Sequence, residues 1–239
     1  MEIQRTTIHQ VYLLRLDEVP LLKLLHPAGL QPLSALFGFG QAGVVQDQSG
    51  TPVINLQLGA FREGELELPI LRLAIEDRRI LLDLEGPSDQ ADKVFARLAE
   101  HLRVLSGRAD DAFLRPIVKA QESEVVCRLS FQWDRLLSHR LTDFVARNLH
   151  EATGSKHAAS SAKLGQIMFV IQYETEGLAL DDQRVSLSRK EFIIAPRPGY
   201  LPTERVYYSK APVDTSSHLA LLHELDSLFA EEPNRAGQR

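Results

Sequence analysis

Cysteine is almost missing from this chain: Cys127 is the single one among 239 residues. That excludes an internal disulfide and any metal cluster built on several thiolates. Cys127 stands among Val125, Val126 and Leu129, so a small buried side chain is expected, with a reactive thiol as the alternative. No apolar run approaches the roughly 18–20 residues that cross a bilayer. The opening Met1-Glu2-Ile3-Gln4-Arg5 has no basic stretch leading into an apolar one, so no secretory signal is expected. A reducing, cytoplasmic location is the expectation that follows.

An excess of positive charge is lacking as well. The net charge is −5. Residues 1–120 hold 13 basic and 16 acidic side chains, and residues 121–239 hold 14 and 16. Neither half predicts the repeated phosphate neutralisation that drives nucleic-acid affinity. Also absent are the P-loop spacing G-x-x-x-x-G-K-[ST] and the G-x-S-x-G turn that presents a nucleophilic serine. Apolar residues at 44% and charged ones at 25% instead describe an ordinary globular protein.

What is present is a run of strands feeding a helix, from Pro52 to Gly107. Ile54, Leu56 and Leu58 alternate with Asn55 and Gln57, the period-two mark of a strand with one wet face. Glu63, Glu65 and Glu67 continue that alternation as an acidic stripe, which discourages edge pairing. After Pro69 the apolar parity changes to Leu71, Leu73 and Ile75, which predicts a bulge or bend. Glu76 to Arg79 form a polar turn before Ile80, Leu82 and Leu84. Ala91, Val94, Phe95, Leu98, Leu102 and Leu105 then repeat at helical spacing, with Ser88 or Asp89 as cap and Gly107 as stop.

Around this run, Thr7–Leu16 is an expected strand and Asp17 the cap of a short helix, Glu18–His26, ended by Pro27. A second helical piece covers Gln31–Phe37. Gly43–Gln48 is an expected strand that turns at Ser49-Gly50. Further on, Glu124–Gln132 reads as a strand and Asp134 as the cap of a helix stopped by Gly154. Gln166–Glu174, Gln183–Pro196 and Glu204–Lys210 read as strands. Asp214 or Thr215 caps a last helix carrying Leu221, Leu222, Leu225, Leu228 and Phe229.

The expected fold class is therefore α+β, an antiparallel sheet with helices packed on one face. Residues 1–107 form one unit, 108–122 a linker, 123–231 a second unit packed on the first, and 232–239 a polar tail. Each unit reads strand, helix, strands, helix, a pseudo-repeat of element order without residue-level repetition. The order is similar to that of each half of the TATA-box-binding protein fold, and a helix-grip arrangement accommodates it too. The resemblance is confined to element order and carries no function with it.

Candidate chemistry is sparse. Gly38-Phe39-Gly40-Gln41-Ala42-Gly43 matches G-x-G-x-x-G, but helix precedes it and strand follows, the reverse of the dinucleotide-binding context. A helix-to-strand connection is expected there, with Phe37 and Phe39 free to form an apolar contact loop for a protein partner. His218 and His223 stand five apart on a helix and so point apart, unlike paired metal ligands. Ser155, Lys156 and His157 lie in a polar segment that can be read as an anion-binding loop or as a plain connection. Pro196-Arg197-Pro198-Gly199-Tyr200-Leu201-Pro202 is a stiff loop presenting Arg197 and Tyr200, residue types enriched at interface hot spots.

No cofactor is expected. The expectation is a non-enzymatic interaction or assembly subunit, with a protein partner or self-association and no membrane contact. A small-molecule binder or hydrolase with a pocket between sheet and helices is the competing expectation. Nucleic-acid binding on the open sheet face is the weaker one.

Overall fold

A computed structural model describes residues 1–47, 49–108, 113–133, 144, 166–171, 178–180, 183–185 and 190–230. The described strands are β1 (Glu2–Leu13), β2 (Gln41–Gln46), β3 (Pro52–Glu63), β4 (Leu66–Ile75), β5 (Arg79–Glu85), β6 (Val118–Arg128), β7 (Ile167–Ile171), β8 (Leu178–Leu180), β9 (Gln183–Val185), β10 (Lys190–Pro196) and β11 (Val206–Ala211). The helices are α1 (Leu21–Leu24), α2 (Pro27–Phe37), α3 (Ser88–Ser106) and α4 (Thr215–Ala230). The class is α+β.

Two compact units share the chain. The first comprises Arg5–Glu124 and Pro212–His218; the second comprises Met1–Gln4, Val125–Ala211 and Leu219–Arg239. Strand order in the first is β2-β3-β4-β5-β1-β6, and in the second β6-β11-β10-β7. Nine strands are joined in these orders, with β8 and β9 forming a separate ladder. Every defined register is antiparallel.

In the first unit, alternation along the strands separates two faces. Ile8 and Tyr12 of β1, Ile80, Leu82 and Leu84 of β5, and Leu73 and Ile75 of β4 are buried in one cluster with the helices. From α3 this cluster takes Ala91, Val94, Phe95, Leu98 and Leu102, the stripe that the 3.6-residue spacing predicts. Tyr12 stacks on Phe95 with ring centroids 3.8 Å apart. Gly107 stops α3 with φ 72°, as expected of a left-handed terminus.

The change of parity in β4 is real. Leu68 and Ile70 are buried before it and Leu73 and Ile75 after it, and the β4–β5 register shifts between Ile70 and Arg72. Leu58 departs from its expected face: with φ 57° it leaves the ladder and stands exposed. The acidic stripe does not form. Glu63 ends β3, Gly64-Glu65 make the hairpin turn, and Glu67 faces Arg62 across it at 2.7 Å.

Other boundaries move for local reasons. Asp17 caps nothing, since it adopts φ 60°, and the first short helix shrinks to Leu21–Leu24. Pro27 opens α2 rather than ending a helix, because its ring presets the first-turn φ and His26 accepts a bond from Ala28 N at 3.2 Å. Gly29 of α2 lies so close to α1 that a Cβ there would overlap the Lys23 carbonyl. Residues 118–122, expected in the 108–122 connection, open β6.

The second unit buries Val125, Cys127, Leu129, Phe131, Trp133, Ile194, Tyr207 and Leu222 together, with Leu225 and Phe229 beside them. Leu221 and Leu228 are exposed instead, so the buried stripe of α4 is narrower than its leucines imply. The helix expected from Asp134 to Gly154 and the tail 232–239 fall outside the described residues, apart from Phe144.

Candidate functional site

On the sheet face opposite α3, three strands of the first unit bring a histidine between two carboxylates. The β1–β5 register sets His9 directly across from Asp83, and β6 supplies Glu124. His9 Nδ1 donates to Asp83 at 2.9 Å, and Nε2 lies 3.4 Å from a Glu124 oxygen. The bond to Asp83 and then that to Glu124 push the imidazole up to about 10. At neutral pH the ring is charged and both nitrogens act as donors, so it has no lone pair to offer a substrate proton. The geometry is that of a cross-strand ionic clamp. Arg5–Glu85, 3.2 Å apart, and Arg72 Nε–Asn55 Oδ1, 3.1 Å apart, add polar links on β1, β5, β4 and β3.

On the helix side of the same unit, Asp92 of α3 gathers several donors. Gln10 Nε2 reaches it at 2.9 Å, Tyr12 OH at 3.1 Å and Lys119 Nζ at 2.6 Å. Burial and this carboxylate raise the Tyr12 phenol well above its usual range. Gln10 Oε1 of β1 and Gln121 Oε1 and Ser123 Oγ of β6 are buried without a hydrogen-bond partner. Nearby, His218 at the start of α4 is fully buried, and desolvation pulls its imidazole down to about 4. It stays neutral at physiological pH. His223, five residues on, is exposed, so the two rings do not converge.

Cys127 of the second unit is buried, and desolvation pushes its thiol up to about 12. A thiol of that kind is no nucleophile at neutral pH. Asp226 of α4 accepts bonds from Ser130 N at 2.6 Å and Ser130 Oγ at 2.8 Å, which tie the end of β6 to the helix. Among the described residues no group of three or more His, Cys, Asp or Glu is placed to hold a metal ion.

The stiff loop after β10 is where exposed groups meet. Gly199 turns it with φ 88°, and the Arg197 guanidinium lies over the Tyr200 ring, 5.4 Å from the centroid. Tyr200 is 41% exposed and Leu201 68%. Leu201 N donates to the Glu204 carboxylate at 2.6 Å, which fixes the exit of the loop. Phe37 and Phe39 do not form a contact loop. Both rings are buried edge-to-face in the core of the first unit, because the chain folds β3 back over them. Gly38, between them, ends α2 with φ 60°, so the glycine motif is the expected helix-to-strand connection. Ser155, Lys156 and His157 lie outside the described residues.

No protein-family model matches the sequence, and no curated protein matches it. One surface was not singled out by sequence reasoning. Among the described residues β2 stands at the end of the strand order, paired with β3 alone, and Val44 and Val45 are 46% and 49% exposed. The signal available in the sequence was composition: Gln41–Gln46 contains neither a charge nor a proline, the usual guards of a sheet edge. No helix of the described residues is long and apolar enough to cross a membrane.

Proposed function

We propose that this protein is a non-enzymatic interaction or assembly subunit of a cytoplasmic complex. The observation that carries the reading is the Pro196–Pro202 loop: Arg197 over Tyr200 at 5.4 Å, with Leu201 exposed beside them. A stacked arginine and tyrosine in a loop restricted by three prolines lose little entropy on docking, and both types are enriched among hot spots. Three groups that acid–base or thiol catalysis could draw on point the same way. His9 is locked as a cation, His218 is neutral and buried, and the Cys127 thiol is protonated. A pseudo-repeat of TATA-box-binding-protein-like or helix-grip-like order belongs to this reading. Its support is that Ser88 and Thr215 each begin a helix laid on antiparallel strands.

The test is recovery of partners on the tagged full chain. Replacing Arg197 and Tyr200 with alanine is expected to reduce recovery of the specific partner by about tenfold or more, as for an interface hot spot. Unchanged recovery removes the loop from the interface. A second reading, small-molecule binding between sheet and helix, is favoured by the orphaned Gln10, Gln121 and Ser123 atoms. It requires a metabolite that raises the melting temperature of the wild type but not of a Gln10→Leu variant.

A further inference from the structure

We propose that two copies of this chain associate through their β2 strands, paired antiparallel about a two-fold axis at Val44. The hydrogen-bond phase of the β2–β3 hairpin sets the geometry. Asp47 N donates to Thr51 O at 3.0 Å, and the register runs from Gln46↔Pro52 to Gln41↔Gln57 without a shift. In an antiparallel ladder the bonding residues alternate. Val45 and Gly43 therefore direct their backbone groups at β3, while Ala42, Val44 and Gln46 direct theirs outward. Pro52 fits this phase, since it faces Gln46, which makes no ladder bond there.

A two-fold at Val44 satisfies all of those outward groups. Val44 pairs with Val44 of the second copy, and Ala42 with Gln46. Gly43 then faces Val45 in a non-hydrogen-bonded pair, the position where opposing side chains come closest. That gives Gly43 a purpose its own fold does not. Its φ is not in the left-handed region, and a Cβ there would meet nothing within 4 Å. Close approach of another backbone is one of the settings in which strands carry glycine.

Charge selects a second copy as the occupant. A strand bearing charges of one sign would repel its own image at a two-fold, whereas Gln41–Gln46 bears none. The nearest carboxylate, Asp47, is turned into its own loop. It accepts bonds from Ser49 N and Thr51 N, both at 2.8 Å. Val44 and Val45, exposed in the single chain, would be covered by their counterparts.

The proposal stands apart from the Arg197–Tyr200 loop, and its test separates the two. The mass of the full-length wild type by sedimentation or light scattering should be that of a dimer at micromolar concentration. Val44→Lys and Val44→Glu each place like charges opposite one another and should raise the dimer dissociation constant at least about tenfold. Mixing the two variants should restore a dimer containing one of each, because Lys then faces Glu. Val44→Pro removes the outward N–H without deleting a bond to β3, and should give a monomer that keeps the strand signal in its circular dichroism spectrum. A monomeric wild type overturns the proposal, whatever the loop binds. So does a Val44→Lys variant that dimerises as tightly as the wild type.

Discussion

Ser88 and Thr215, 127 positions apart, cap each other's helices. Ser88 N donates to Thr215 Oγ1 at 3.0 Å, and Thr215 N donates to Ser88 Oγ at 3.2 Å. The exchange is needed because the residue before Ser88 is Pro87, whose side chain offers no cap. α4 has a second provision. Asp214 accepts bonds from Ser217 N at 2.9 Å and from the Ser216 and Ser217 hydroxyls, which hold its carboxyl down to about 2. Replacing Thr215 with valine keeps the shape and deletes the hydroxyl, and should cost about 1 kcal/mol in urea unfolding. Ser88→Ala should cost a similar amount. The double variant removes both bonds and should cost more than either single variant.

His9 makes stability fall on the alkaline side. Its imidazole has an ordinary value of 6.5 and is raised to about 10 in the folded protein. The clamp is fully present below pH 6.5 and is lost as pH climbs toward 10, because the folded state must then give up a proton that the unfolded state has already released. Denaturant midpoints measured across this window should decline in the wild type. They should decline less in His9→Gln, which cannot carry the charge. Equal slopes would show that the clamp contributes nothing.

His218 acts at the opposite end. Burial lowers it from 6.5 to about 4, so the folded protein resists its protonation. Its stability contribution is intact above pH 6.5 and is lost as pH falls toward 4, where the unfolded chain takes up the proton first. A His218→Gln variant should show a shallower acid limb in the same midpoints. The comparison is between variants at each pH rather than between pH values.

Cys127 should be silent toward alkylating reagents until the second unit opens. Its thiol is buried and raised to about 12, so at pH 8 thiolate is scarce and shielded. Labelling by iodoacetamide, read by mass spectrometry, should be negligible in native buffer and complete in urea. Rapid native labelling would contradict the packing against Val125, Leu129 and Tyr207.

The helix Ser88–Ser106, its stop at Gly107, the turn at Ser49-Gly50 and the parity change in β4 could all be read from the sequence. Each depends on residues within one or two turns of helix or a few positions of strand, where spacing and backbone preference decide. Phe37 and Phe39 are buried where their local pattern suggests a contact loop, because whether an apolar pair beside glycines is covered depends on β3, a separate strand. His9 gave no signal for the same reason: Asp83 is its neighbour through the β1–β5 register and Glu124 through strand order. That Ser88 and Thr215 serve each other's helices, and that β2 ends the strand order of the described residues, are likewise products of topology. Local pattern determines which elements form. Only the order and register of the strands determines which side chains meet and which backbone groups are left over.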